Sequence, residues 1–262
     1  MEAVLEFEFP LPPLPEQRRI VGILDEAFDA IATAKANTEK NLQNARAIFE
    51  SHMEDVLNRR GDGWFDHCLG DLAVSISTGP FGTMLHKSDY VPEGIPLVNP
   101  MNIVESRIVP SGKMMVTPET RARLSPYILE IGDIVIARRG ELGRCAIVSE
   151  KENGWLCGTG SFFVRLSTKV TRQWFVFLFG SNLYKARLTE NSVGTTMNNL
   201  NQGILQELVI PVPPLEDQRR LVDEFCELQD ELGSLRDRYN RKIVELQRLK
   251  TSLLDQAFRG NL

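Results

Sequence analysis

The chain has 262 residues, 42% of them hydrophobic and 25% charged, which suits one large or two medium domains around a buried core and excludes a disordered protein. The opening MEAVLEFEF has no basic leader followed by an apolar run, and no stretch reaches the roughly 18 apolar residues of a membrane span, so a cytoplasmic protein with no membrane partner is expected. Cys68, Cys145, Cys157 and Cys226 lie far apart and share no ligand spacing with His52, His67 and His86, which argues against zinc and fits a reducing compartment.

The formal charge of -5 is unevenly spread. Residues 1–57 hold 5 Lys and Arg against 11 Asp and Glu, residues 58–209 hold 16 against 14, and residues 210–262 hold 9 against 10. The acidity therefore belongs to the ends, and the mildly basic middle permits nucleic-acid binding without demonstrating it.

In chain order, the alternation over Val4–Phe9 predicts an end strand within residues 1–9. FPLPPLPEQRRI, from Phe9 to Ile20, comes next and returns as IPVPPLEDQRRL from Ile210 to Leu221, an offset of 201 residues. A repeat this extended frames the chain. In each copy the prolines forbid helix up to the junction and acidic residues then complement the helix dipole, so helices are predicted from near Pro15 and near Glu216. The first helical region, 10–60, carries Leu24, Ala27, Phe28, Ile31, Leu42, Ala45, Ile48, Phe49, Val56 and Leu57 as an apolar stripe, interrupted by Lys35, Thr38 and Asn41. Roughly forty helical residues give a rod of about 60 Å.

Residues 61–209 change character. Short β-rich runs at Leu72–Ser77, Ile95–Val98, Ile134–Ala137, Cys145–Val148, Phe162–Leu166 and Leu208–Ile210 are separated by glycine and proline, and one helical stretch is predicted at Thr171–Leu188. The second helical region, 210–262, has a seam of Phe225, Leu228, Leu232, Leu235, Tyr239, Leu246, Leu249 and Leu253, polar at Lys242 beside Ile243. The expected fold is α+β (mixed α/β), with one globular domain plus two long helices forming an antiparallel coiled-coil-like arm.

Three stretches of the middle domain suit recognition chemistry. Thr78-Gly79-Pro80-Phe81-Gly82-Thr83, followed by Lys87, is a small-residue turn that exposes one aromatic and can bring backbone close to phosphates. Arg138, Arg139 and Arg144 lie at the tip of a strand-turn-strand unit, where a guanidinium can fork onto guanine or phosphate; a solvated hairpin end explains any single arginine equally well. Thr195, Thr196, Asn198 and Asn199 offer amides and hydroxyls to base edges, and the same residue types serve turns and helix caps.

SISTGPFGTMLHKSDYVPEGIPLVNPMNI, LEIGDIVIARRGELGRCAIV, SVGTTMNNLNQGILQELVIPVPPLEDQRR and the earlier FPLPPLPEQRR resemble the target-recognition domain and flanking conserved regions of specificity subunits of Type I restriction-modification systems. The likeness covers nearly the whole chain, and the Pro-Gln-Arg junctions are its most specific element. It implies a subunit that binds double-stranded DNA, docks methyltransferase (modification) subunits on its helices, and admits a restriction subunit in the same complex. It implies no cofactor in this chain, S-adenosylmethionine belonging to the methyltransferase. The family's usual subunit has two recognition domains; one domain with both helices implies a half-subunit or truncated form, acting as a homodimer or with another half-subunit.

Catalysis is not expected of this chain. Asn99-Pro100-Met101 lacks the second proline and the ring that an adenine methyltransferase uses on a flipped base. Gly158-Thr159-Gly160 lacks a dinucleotide fingerprint's third glycine, and no acidic cluster suggests magnesium. The alternative is a protein-only coiled-coil assembly or inhibitory subunit, which predicts no DNA selectivity.

Overall fold

The repeated motif folds the same way twice. In a computed structural model, which describes residues 11–190 and 199–262, helix α1 runs Leu14–Asn58 and the chain's last helix, α7, runs Leu215–Phe258. Each starts one residue after the proline that ends its motif, and the glutamine amide closes the first turn on that proline's carbonyl: Gln17 N to Pro13 O at 3.0 Å, Gln218 N to Pro214 O at 2.9 Å. The predicted end strand lies outside the described residues.

Between the helices come β1 (Phe65–Cys68), α2 (Leu69–Leu72), β2 (Ala73–Thr78), β3 (Tyr90–Val91), β4 (Ile95–Val98), β5 (Ile103–Val104), β6 (Arg107–Ile108) and β7 (Met115–Val116). Then follow α3 (Pro118–Arg123), β8 (Ile134–Ala137), β9 (Cys145–Ile147), β10 (Leu156–Cys157) and β11 (Ser161–Leu166). The remaining elements are α4 (Arg172–Gly180), α5 (Asn182–Glu190), α6 (Gln202–Glu207) and β12 (Val209–Val212). The helix expected at Thr171–Leu188 is two helices. Ser181 is extended (φ -67, ψ 154) and its hydroxyl caps the break, donating to Leu178 O at 2.7 Å.

The chain divides into two compact units, residues 50–226 and residues 1–49 with 227–262. In the first, the main sheet has the order β2-β11-β8-β9, all antiparallel, and a second sheet the order β10-β4-β7-β3. β8 is buried on both faces because its neighbours are covered on both. Val135, Ala137, Ala146 and Phe163 join Val98, Ile103, Ile108, Leu129 and Cys157 in one core cluster. The opposite face meets α4, where Cys145 Sγ lies 3.9 Å from Val176 O.

β12, predicted as a short strand, pairs with β1, which the sequence pattern had not singled out. Behind it Trp174 donates from Nε1 to Pro211 O at 3.0 Å, stacks with Phe225 and meets Trp64 edge-on. This aromatic knot ties the second junction motif to the sheet domain. Arg165 bridges to buried Asp133 at 3.0 Å and covers Phe163.

In the other unit the two helices run antiparallel. Arg19 bonds the Leu262 carbonyl, and Lys250 lies 4.7 Å from the centre of the Phe28 ring. Thr38, expected to interrupt the stripe, is instead buried within it, its hydroxyl satisfied by Ala34 O at 2.7 Å. Ile48 and Leu249, expected on the seams, are 56% and 49% exposed. Beyond Tyr239 the half-buried positions of α7 run Ile243, Leu246, Leu253, Leu254 and Ala257, and exposed Lys250, four residues after Leu246, lies over Phe28. A four-residue step replaces the expected three there, which rotates Leu249 outward.

Candidate nucleic-acid interface

Strand polarity collects the Thr78 turn, the β8–β9 tip and Asn199 of the third stretch at one end of the main sheet. β2 and β8 finish where the antiparallel β11 begins: Phe162 is opposite both Thr78 and Ile136, and Ser161 is opposite Ala137. Hydrogen bonds extend this row in both directions, from Gly79 N to Ser161 O at 3.0 Å and from Ala137 N to Arg144 O at 2.8 Å. The third stretch joins through Arg138, whose N donates to Gly160 O at 2.9 Å and whose O accepts Leu200 N at 3.0 Å, and through the bridge between Arg139 and Asn199.

Close backbone approach makes this end possible. A Cβ on Gly79 would overlap the Gly158 carbonyl, and one on Gly158 would overlap the Asn99 amide, so the Gly-Pro turn, the 158–160 turn and the 99–102 turn stack directly. Asn99-Pro100-Met101, which fell short of a methyltransferase element, is a structural turn: Asn99 N donates to Asn102 Oδ1 at 3.0 Å and Asn102 Nδ2 to Val109 O at 2.9 Å. At the β8–β9 tip, Gly143 has φ +85 and lies against Lys185 and the Phe179 carbonyl.

The side chains fall into distinct settings. Phe81, Thr83, Lys87 and Arg139 are exposed, while Thr78, Arg138, Arg144 and Asn199 are half-buried. Thr195, Thr196 and Asn198 lie outside the described residues. Arg138 donates from Nε to Leu200 O at 3.0 Å and sits 5.6 Å from the centre of the Phe162 ring. Burial, and then the like charge of Arg139, pulls its guanidinium below the ordinary arginine value, though an arginine remains charged. Arg144 donates to Glu141 O at 3.3 Å. Its Nε also lies 4.0 Å from the Glu141 carboxylate, and Lys185 packs against Gly143 at the same tip.

Sequence reasoning passed over the residues that hold the Phe81 segment in place. Arg123 donates to Met84 O at 2.6 Å and pairs with Asp89 at 3.2 Å, and Tyr127 OH reaches Met84 Sδ at 3.1 Å. It also passed over Gln202, which donates to Ile76 O at 3.0 Å and anchors α6 on β2. These contacts join residues far apart in the chain, from Arg123 with Asp89 to Gln202 with Ile76, and no local pattern announces them. Among the described residues no cluster of His, Cys, Asp and Glu can hold a metal ion, and no helix is long and apolar enough to cross a membrane.

The Type I restriction modification DNA specificity domain model matches residues 62–238. The chain belongs to this family. It is 21% identical to the EcoBI specificity subunit of Escherichia coli, over 97% of this chain and 58% of that protein. It is 22% identical to the MjaVIII specificity subunit of Methanocaldococcus jannaschii, over 91% and 60%. The HsdS subunit from Thermoanaerobacter tengcongensis has the same fold, with a TM-score of 0.61 at 23% identity over 97% of this chain and 60% of that one. A chain solved in work on complex assembly and conformational transition of the type I R-M system gives a TM-score of 0.80 at 24% identity, over 97% and 62%. The chain thus spans about three-fifths of the length of these relatives.

Proposed function

We propose that the chain is the sequence-specific, non-catalytic DNA-recognition component of a Type I restriction-modification complex. The observation that carries this reading is the convergence of Thr78–Thr83, Arg138–Arg144 and Asn199 on one end of a single sheet. Exposed Lys87 and Arg139 supply phosphate and base contacts, and Phe81 supplies an apolar one. Thr195, Thr196 and Asn198 are further candidates by residue type. The family match agrees with DNA as the ligand.

The long helices act as a spacer and as the docking surface for methyltransferase subunits, which carry S-adenosylmethionine, and a restriction subunit joins the same complex. Two copies of the chain, or this chain with another half-subunit, place two recognition domains on a bipartite target, because closed two-fold pairing repeats each domain once. The test is selection from a randomised duplex pool with the full chain, alone and with its methyltransferase, at several salt concentrations. Enrichment of a defined sequence is expected, with affinity falling steeply as salt rises. No enrichment in either arm leaves a protein-only assembly role and refutes the DNA reading.

A further inference from the structure

Resting on the DNA-recognition reading above, we propose that Arg139 reads a base pair and that its neighbour Arg138 is a positioning residue that sets its direction. The two arginines are equivalent in sequence, and the fold separates them. Arg138 is held by its backbone N on Gly160 O, its backbone O on Leu200 N, its Nε on Leu200 O, and its guanidinium against the buried Phe162 ring. Reading guanine needs two parallel N–H groups turned to the base. With Nε committed to a carbonyl and the ring against its guanidinium, Arg138 is not free to turn.

Arg139 is exposed and, among the described residues, makes no ion pair or side-chain hydrogen bond, while its backbone is clamped in the bridge to Asn199. Successive side chains of an extended chain point to opposite faces. Fixing Arg138 toward Phe162, whose face Thr78 shares as its cross-strand partner, therefore sends Arg139 to the opposite face, which its bridge partner Asn199 shares. Arg144 is excluded as an equal alternative by its bond to Glu141 O and its proximity to the Glu141 carboxylate at 4.0 Å.

The experiment uses the full chain with its methyltransferase and the duplex selected from the randomised pool, each base pair of which is then replaced in turn. Arg139→Ala is expected to lower discrimination at one base pair by roughly 10- to 100-fold. Arg138→Ala is expected to lower it at the same base pair by a similar factor, the double variant being no worse than either single one, with the slope of log affinity on log salt unchanged. Arg138→Lys, which keeps a donor for Leu200 O, retains most discrimination, whereas Arg139→Lys does not. The proposal is overturned if Arg138→Ala weakens every sequence equally and reduces the salt slope by about one, which marks a phosphate contact. Additive losses at two different base pairs overturn it as well. A parent chain with no preferred sequence overturns the recognition reading itself, and this proposal with it.

Discussion

Gln17 and Gln218 make the same side-chain bond in two copies of one motif: Nε2 donates to Pro12 O at 2.8 Å in the first and to Pro213 O at 2.9 Å in the second. Among the described residues only the second continues outward. Gln218 is fully buried, donates also to Lys169 O at 3.0 Å, and accepts Thr171 N at 2.7 Å, which is the N-cap residue of α4. One amide thus joins the start of α7 to the sheet domain. Gln218→Ala removes the partner of three backbone groups, one of them in a fully buried bond and two in part-buried ones, and is expected to cost about 2–4 kcal/mol, while Gln17→Ala costs less than about 1 kcal/mol. Urea unfolding followed by tryptophan fluorescence measures both, and equal losses would show that the repeat's position is irrelevant.

Burial separates the four cysteines into two classes. Cys145 and Cys157 are enclosed, and burial pushes the Cys145 thiol up to about 12 and Cys157 higher still; Cys68 and Cys226 are exposed. Because the thiolate is the reactive form, a thiol reagent at neutral pH is expected to modify Cys68 and Cys226 in the native chain and the other two only after denaturant is added. Rapid native labelling of Cys145 or Cys157, mapped by mass spectrometry, contradicts the packing of β9 and β10.

The β5–β6 hairpin turns through Glu105 and Ser106, both in the left-handed region with φ 47 and φ 57. Two-residue turns of this kind favour Asn-Gly, since other side chains are strained there. The double substitution Glu105→Asn, Ser106→Gly is expected to stabilise the domain by about 1 kcal/mol. An unchanged or lowered thermal midpoint counts against this strain.

Asp89 gives the Phe81 segment an acid limit. The His86 amide, and after it the Arg123 guanidinium, holds the Asp89 carboxyl below its ordinary value of 3.8. A depressed folded value means that this stabilisation is complete above the unfolded value and disappears as the pH falls through the folded one. The Tm difference between the parent chain and Asp89→Asn is therefore expected to stay constant above about pH 5 and to shrink below the ordinary carboxylate value. A difference that persists to the lowest pH measured would remove Asp89 from this role.

The long helices were legible because their signals are local: prolines stop the strand, acidic residues start the helix, and apolar residues recur every three or four positions. The repeat fixed both starts to within a residue of Pro15 and Glu216. The strands at Ile95–Val98 and Ile134–Ala137 were legible for a similar reason, as apolar β-branched runs between turn residues. Periodicity was less secure where a side chain has two uses, as with Thr38, which satisfies its own hydroxyl inside the stripe, and Lys250, which lies over Phe28.

By itself the sequence determined the α+β class and the two framing helices, since residue type and spacing suffice for each, and it marked the three stretches proposed to meet DNA. Only the tertiary structure decided that Thr78, Arg139 and Asn199 share one end of a sheet, that Arg138 is tied down while Arg139 is exposed, and that Gln218 is an anchor where Gln17 is not. Those distinctions arise from strand order and from hydrogen bonds spanning up to 62 residues. Such contacts form only once packing excludes water, and no window of sequence contains both of their partners.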